Sequence, residues 1–227
     1  PLLISVIIPA FNEAKVLPST LRQLLCQTGD FEVIVVDGGS ADRTPDIVQA
    51  QSRIRLLTAS KGRATQMNAG ARIARGEWLL FLHADTLLPD NALHRLNTLE
   101  TNTRIQAGGF RHRFSGNDWQ LRLISWMDNV RAGMTRIIYG DQAMFVRRAL
   151  FEQLGGFPEQ PYLEDIAFCQ KLKRATRPVL LKQHVVTDSR KFEQMGIWRS
   201  LSRCTLILLC HILRLPFIPR TFFADIR

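Results

Sequence analysis

Val33-Ile34-Val35-Val36-Asp37-Gly38-Gly39-Ser40-Ala41-Asp42-Arg43-Thr44-Pro45 is the stretch that decides the fold. Four β-branched residues in a row read as a strand. Asp37 ends the run, and the two glycines permit a tight turn. A helix follows from Thr44 to Gln51, with Pro45 in its first turn. Strand, polar turn and helix in succession is the unit from which parallel α/β sheets are built.

The unit repeats on both sides of this stretch. Upstream, Leu3 to Ile8 is an apolar run ending at Pro9, and Val16, Leu17, Leu21, Leu24 and Leu25 make a helical face. Downstream, strands are expected at Ile54–Leu57 and Trp78–Leu82, with helices at Ala64–Ala74, closed by Gly76, and at Asn91–Leu99. Polar clusters sit where strands end: Asn12 and Glu13, Asp37 to Asp42, then His83 and Asp85. Parallel sheets bind ligands beyond the carboxyl ends of their strands, and core packing alone does not explain three such clusters. The second half is less regular. A strand over Ile105–Phe114 is expected to be interrupted at Gly108-Gly109, and helix Trp119–Val130 follows. Strand Ala143–Val146 leads into a helix reaching Leu154. Helix Glu164–Arg174 begins with acids and ends with bases, as the helix dipole favours, and Val179–Val186 is a late strand.

Bulk properties set the frame. The chain has 227 residues, 46% of them hydrophobic, which suits one domain with a sizeable core. A formal net charge of +10 favours anionic partners such as nucleotide diphosphates or anionic lipids. No nucleic-acid recognition motif accompanies that charge, so nucleic acid is not an expected partner. Cys26, Cys169, Cys204 and Cys210 form no CxxC pair, and they read as reduced thiols in a cytoplasmic protein.

Taken together, the residues resemble the family 2 glycosyltransferases. Val6-Ile7-Ile8-Pro9-Ala10-Phe11-Asn12-Glu13 is similar to that family's first strand and nucleotide loop. Val35-Val36-Asp37-Gly38-Gly39-Ser40-Ala41-Asp42 resembles its DGSxD turn, with an extra glycine. His83-Ala84-Asp85 falls where the family carries its DxD metal motif, and Leu163-Glu164-Asp165 matches the late ED motif before a helix. The likeness covers nearly all of residues 3 to 190. Residues 61–70, Gly140-Asp141-Gln142 and residues 187–191 further resemble a bacterial subfamily associated with arsenosugar biosynthesis.

The resemblance implies a GT-A fold, a three-layer α/β/α sandwich with a mostly parallel sheet. It also implies inverting transfer of a sugar from a nucleotide-diphosphate donor to an acceptor hydroxyl, with a divalent cation, Mn2+ or Mg2+. Pro9, Ala10, Asn12, Glu13, Asp37, Gly39, Arg63 and Ala84 are then candidates for the nucleotide. A carboxylate such as Asp37 accepts hydrogen bonds from a base or ribose, and Arg63 offers a bidentate donor. The bland alternatives are a turn-forming Asp37, Asp42 as a helix cap and a solvated Arg63. Asp85 is the metal candidate, because Mn2+ and Mg2+ prefer oxygen ligands. His83 stands where the family has its first acid, so it either ligates the cation or touches ribose or phosphate. His184 is a further candidate ligand. Asp165 is the candidate general base, with Glu164 orienting the acceptor or simply complementing the helix dipole. Gly140, Asp141 and Gln142 are candidates for donor sugar or acceptor. Arg190 and Lys191 are candidates to clamp the diphosphate from a loop.

Residues 1–195 are expected to form the catalytic domain and residues 196–227 a helical tail. The tail helix, Ile197–Leu215, has an apolar core too short to span a bilayer. Three placements stand for it: on the domain, against a second subunit in a homodimer, or peripherally on a membrane. The rival functions are a polyprenyl-phosphate glycosyltransferase at the membrane surface, a nucleotidyltransferase and a non-catalytic nucleotide-binding protein. Asn12-Glu13-Ala14 after the first strand lacks the basic Gly-rich loop that a nucleotidyltransferase needs.

Overall fold

A computed structural model describes residues 3–99, 102, 104–160 and 162–212. Strands β1 (Ile4–Ala10), β2 (Phe31–Asp37), β3 (Ile54–Thr58), β4 (Trp78–Phe81), β5 (Thr86–Leu87), β6 (Ala107–Phe114), β7 (Phe145–Arg147) and β8 (Val179–Thr187) form one sheet. Their order is β3-β2-β1-β4-β7-β6-β8-β5. Among these strands only β5 and β7 run against the rest, so the sheet is mostly parallel. The helices are α1 (Leu17–Leu25), α2 (Thr44–Gln49), α3 (Arg63–Ile73), α4 (Ala92–Thr98), α5 (Trp119–Thr135), α6 (Arg148–Gln153), α7 (Glu164–Ala175), α8 (Arg190–Met195) and α9 (Ile197–Ile212).

Alternation along the strands makes two cores. Ile4, Val6 and Ile8 of β1 join Val33 and Val35 of β2 against Leu17, Leu21 and Leu24 of α1, Val48 of α2 and Leu93 of α4. Ile7, Ile34 and Val36 face the other way, against Met67 of α3, Phe151 of α6 and Phe168 of α7. Each such side chain removed from water contributes roughly 1.5–3 kcal/mol. The result is the expected α/β/α sandwich. The parallel strands β1, β2, β3 and β4 all end at the same edge, and the polar clusters gather there.

Four local expectations need correcting. Gly108 and Gly109 do not interrupt β6. They let it pack tightly, since a Cβ on Gly108 would strike the Val179 carbonyl oxygen and one on Gly109 the Ile138 side chain. The irregularity comes one step later, as a register shift between Phe110 and Arg111. Helix α5 runs past Val130 to Thr135 and stops where Arg136 turns left-handed. Arg190 and Lys191 lie on α8, not in a loop. Asp188 Oδ1 accepts the Arg190 N–H at 2.8 Å, and Ser189 Oγ donates to Glu193 at 2.6 Å, which fixes the start of that helix. The two-residue strand β5 was not foreseen. Of the tail helix, residues 213–215 lie outside the described residues, as does the rest of the tail to residue 227.

Beyond Gly108, β6 is no longer paired with β7, and α5 takes over. Asn129 accepts the His112 N–H at 2.8 Å and donates to the His112 carbonyl at 2.9 Å, while Ser125 Oγ accepts the Phe114 N–H at 3.3 Å. No described helix is long and apolar enough to cross a membrane.

Candidate functional site

The loops after β1 and β2 are bound to each other. Ser40 Oγ accepts the Asn12 N–H at 2.8 Å and Asn12 Oδ1 accepts the Ala41 N–H at 2.9 Å. Thr44 Oγ1 accepts the Glu13 N–H, and Asp42 Oδ2 the Ala14 N–H. Asn12 adopts a left-handed φ of 55°, a conformation that Asn enters more easily than most residues. Asp37 is buried, and its carboxylate accepts the N–H groups of Gly39 and Ser40 at 2.9 and 3.0 Å as well as the Ser40 hydroxyl. Gly39 has a φ of 83°, which the turn requires. Burial alone would raise the Asp42 pKa, but hydrogen bonds from Thr44 and Ala14 hold it below the usual range. Gln66, to which the sequence assigned no role of its own, ties the ends of the two strands together by donating to the carbonyls of Ala10 and Val36, at 2.8 and 2.7 Å.

Behind this frame lie two adjoining cavities. The first, about 90 Å³, is lined by Pro9, Ala10, Glu13, Arg63, His83, Ala84, Asp85 and Lys191, together with Phe11, Lys61, Gly62 and Gln66. Lys61 Nζ sits 3.9 Å from the centre of the Phe11 ring. The second, about 290 Å³, contains Gly140, Asp141, Glu164 and Asp165, with Tyr139, Tyr162, Phe114 and Phe192. Arg63, His83, Asp85 and Lys191 belong to both. Asn12, Asp37, Gly39, Gln142 and Arg190 line neither, and His184 is exposed on β8.

At the shared wall, tertiary contacts bring distant residues together. The His83–Asp85 turn is held by Thr20, whose hydroxyl donates to the Ala84 carbonyl at 2.7 Å. The Asp188 N–H donates to the Asp85 carbonyl at 3.0 Å, which delivers α8 to the site. Lys191 then bridges two acids, 3.2 Å from Glu13 and 3.5 Å from Asp85, and Arg190 pairs with Glu13 at 3.1 Å. The Asp85 carboxylate is loosely engaged, with Lys191 on one oxygen and the Thr86 hydroxyl 3.4 Å from the other. His83 Nε2 is buried without a protein partner. Burial, and then the charges of Arg63 and Lys191, push the His83 pKa well below its ordinary value, so the ring is neutral near pH 7. Its ring lies against Gly140, where an added Cβ would come within 2.6 Å of Nε2.

Asp165 stands in the first turn of α7, after Leu163, a leucine in the left-handed region with φ 58°. Such strain costs on the order of 1 kcal/mol and fixes the approach of the helix. The Asp165 carboxylate accepts the Gly140 N–H at 2.8 Å and the Ile166 N–H at 2.8 Å. Glu164, nearly fully buried, pairs with Arg63 at 3.5 Å. Gln142 is buried beneath the cavity and accepts the Tyr139 N–H at 3.0 Å.

Under the second cavity lies a polar group that sequence reading missed, apart from Asp141. His112, Asp128 and Asp141 offer ligand atoms all within 4.8 Å of one another. Arg131 pairs with Asp128 at 3.3 Å, and its guanidinium lies 3.3 Å from the centre of the Tyr139 ring. Burial takes the His112 pKa down to about 4, and burial with the Asp165 charge takes Asp141 up to about 6. These residues come from β6, α5 and the 3-10 turn Gly140–Gln142, too far apart in sequence to be read as one group.

The model of the family described as Glycosyl transferase family 2 matches residues 5–155. A PGL/p-HBAD biosynthesis glycosyltransferase of Mycobacterium tuberculosis is 34% identical over 167 residues, covering 67% of this chain and 62% of that protein. Glycosyltransferase GlyG of Streptococcus pneumoniae is 35% identical over 101 residues, 41% of this chain and 34% of that protein. The chain therefore spans about three fifths or less of these relatives. Among solved structures, S. aureus TarS in complex with UDP superposes with a TM-score of 0.68 at 22% identity, covering 82% of this chain and 60% of that one. The mannosyltransferase PcManGT from Pyrobaculum calidifontis, in complex with GDP-Man and Mn2+, gives 0.64 at 23% identity, covering 81% and 56%. These two likenesses show the fold.

Proposed function

The chain belongs to glycosyltransferase family 2, and from that premise we propose that it transfers a sugar from a nucleotide-diphosphate donor to an acceptor hydroxyl with inversion. One observation carries the proposal: two cavities meet at Arg63, His83, Asp85 and Lys191, and Asp165 lies in the second. The first cavity takes the nucleotide, the second the acceptor, and the shared wall takes the diphosphate between them. Arg63 and Lys191 bring positive charge to the point where the leaving group gains negative charge. Glu164 holds Arg63 in place. Glu13 keeps Arg190 and Lys191 beside the first cavity, so the clamp is partly preorganised. Asp37, Asn12 and Gly39 shape the nucleotide loops, and the one acceptor site that Gly39 and Ser40 leave on Asp37 serves the base or ribose.

The acceptor oxygen attacks the anomeric carbon as its proton passes to the Asp165 carboxylate. The bond from that carbon to the diphosphate breaks, and its electron pair leaves with the diphosphate. The Gly140 and Ile166 N–H groups orient the carboxylate for this task.

A divalent cation fits the donor set. Asp85 is an oxygen ligand with only long contacts to other groups, and the neutral His83 leaves Nε2 unpartnered. Asp85 would hold the ion, with His83 beside it, and the ion would supply charge neutralisation to the diphosphate. PcManGT, with GDP-Man and Mn2+, supports this reading, and TarS with UDP supports the donor class. The resemblance to the arsenosugar-associated subfamily bears on the acceptor, since Gly140 and Asp141 line the second cavity.

Calorimetric titration of UDP and of GDP, each with and without Mn2+, tests the donor site. One nucleotide is expected to bind with metal dependence, and Asp85→Ala to weaken it by at least about tenfold, equivalent to 1.4 kcal/mol. Failure of both nucleotides to bind under any metal condition would remove the reading.

A further inference from the structure

We propose that α5 is a docking face for an anionic lipid surface. Trp119, Leu123, Trp126, Met127, Val130 and Met134 are all exposed, from 38% at Leu123 to 80% at Met134. At 100° per residue they fall within an arc of about 100° on one side of the helix. The opposite side already packs on the domain through Leu121, Ile124, Ser125 and Ala132. Helix α5 is therefore apolar on two faces, and only one of them serves the fold. A contiguous exposed apolar face of this kind marks an interaction surface. It continues onto α9, where Trp198 meets Trp119 ring edge to face at 5.9 Å and is itself half exposed.

The charges beside this face select the occupant. Arg111 and Arg113 are exposed on β6 and line a groove with Trp126, Val130 and Met134. Arg122 adds a third guanidinium, and no acid is among the described residues lining the groove. A second copy of the chain, seated face to face, would bring two arginine-flanked faces together between molecules of charge +10. Anionic headgroups instead meet these arginines, while tryptophan and methionine enter the boundary of the acyl chains. Two exposed tryptophans and a third on the neighbouring helix suit that boundary, where an apolar ring with one polar N–H is at home. All the residues of this surface lie within the described part of the chain. Helices α8 and α9 also border the second cavity, through Phe192, Met195 and Ile207. That an acceptor held at the membrane reaches the cavity from this side rests on the transfer reading; the docking does not.

Sedimentation with vesicles tests it. The protein is expected to pellet with vesicles of phosphatidylcholine and phosphatidylglycerol, more weakly with phosphatidylcholine alone, and less as salt is raised. The double variant Trp126→Glu/Met134→Glu changes two exposed positions away from the site. It is expected to lose at least about tenfold in vesicle affinity with nucleotide binding and melting temperature unchanged. Arg111→Gln/Arg113→Gln is expected to abolish the preference for the anionic lipid. Absence of vesicle binding in a protein that still binds nucleotide would overturn the docking alone. So would vesicle binding by the Glu variant equal to wild type. A wild-type dimer by light scattering that the Glu variant dissolves, without vesicle binding, would assign the face to a second copy instead.

Discussion

Asp165 has its two carboxylate oxygens fixed by backbone donors, so its chemistry is separable from its position. Asparagine at 165 keeps an acceptor for the Gly140 N–H, gives up the one for the Ile166 N–H, and cannot take a proton. Asp165→Asn is therefore expected to lower turnover by about 10²- to 10⁴-fold and leave nucleotide affinity as it was. Equal loss of both would make Asp165 a structural residue. The neighbouring Asp141 offers a test by pH. Burial and the Asp165 charge lift its pKa to about 6, above the unfolded value of about 3.9. A carboxyl raised in the folded state stabilises fully below its unfolded pKa, and the contribution is lost as pH rises through the folded value. Asp141→Asn cannot ionise, so its melting temperature relative to wild type is expected to improve between about pH 4 and pH 7. A difference independent of pH would show that Asp141 is not strained in this way. The fall in the His112 pKa works in the opposite direction, removing stability as pH drops from about 6.5 toward 4.

At the scale of elements, contact between α3 and the sheet is set by Gly70. A Cβ there would lie 2.5 Å from Ile7 Cγ2 and 3.1 Å from Val36 Cγ2, both in the core. Alanine gains about 1 kcal/mol of helix propensity, while overpacking costs roughly 1–3 kcal/mol. Since Ile7 and Val36 are both fully buried, overpacking outweighs propensity, and Gly70→Ala is expected to destabilise by up to about 2 kcal/mol in urea unfolding. A stabilised variant would show that the helix can shift off the sheet. The glycine was legible only as a helix residue, because sequence does not show which strand passes beneath it. The same limit divides what could and could not be read elsewhere. Strands β1 and β2 announce themselves by β-branched runs, and β3 and β4 by short, largely apolar runs. Two-residue β5 is too short to alternate, and the reversal of β7 depends on its neighbours. Motif residues Asp85 and Asp165 were legible one by one. The Lys191 bridge, the pairing of Glu164 with Arg63 and the His112–Asp128–Asp141 group were not, because each joins different segments of the chain. Helix α5 runs through Gly133, where nothing lies within 4 Å of an added Cβ.

The whole molecule keeps its two cavities distinct while sharing a wall, so they can be perturbed separately. Ser200, Cys204 and Ile207 of α9 reach only the second. Cys204→Phe is expected to fill part of that cavity and raise KM for the acceptor several-fold, with donor affinity unchanged. Weakened donor binding in the same variant would mean that the cavities act as one. The junction of α5 with β6 has a mechanical consequence. Asn129 and Ser125 are four residues apart on the helix, a rise of about 6 Å. They serve His112 and Phe114, two residues apart on the strand, a rise of about 6.6 Å. Helix and strand are thus meshed like a rack and a gear of matching pitch. One tooth cannot be added to either without stripping the other, so length changes in this half of the chain are confined to its loops. Through Asn129, α5 is thus tied directly to the backbone of His112, beneath the second cavity.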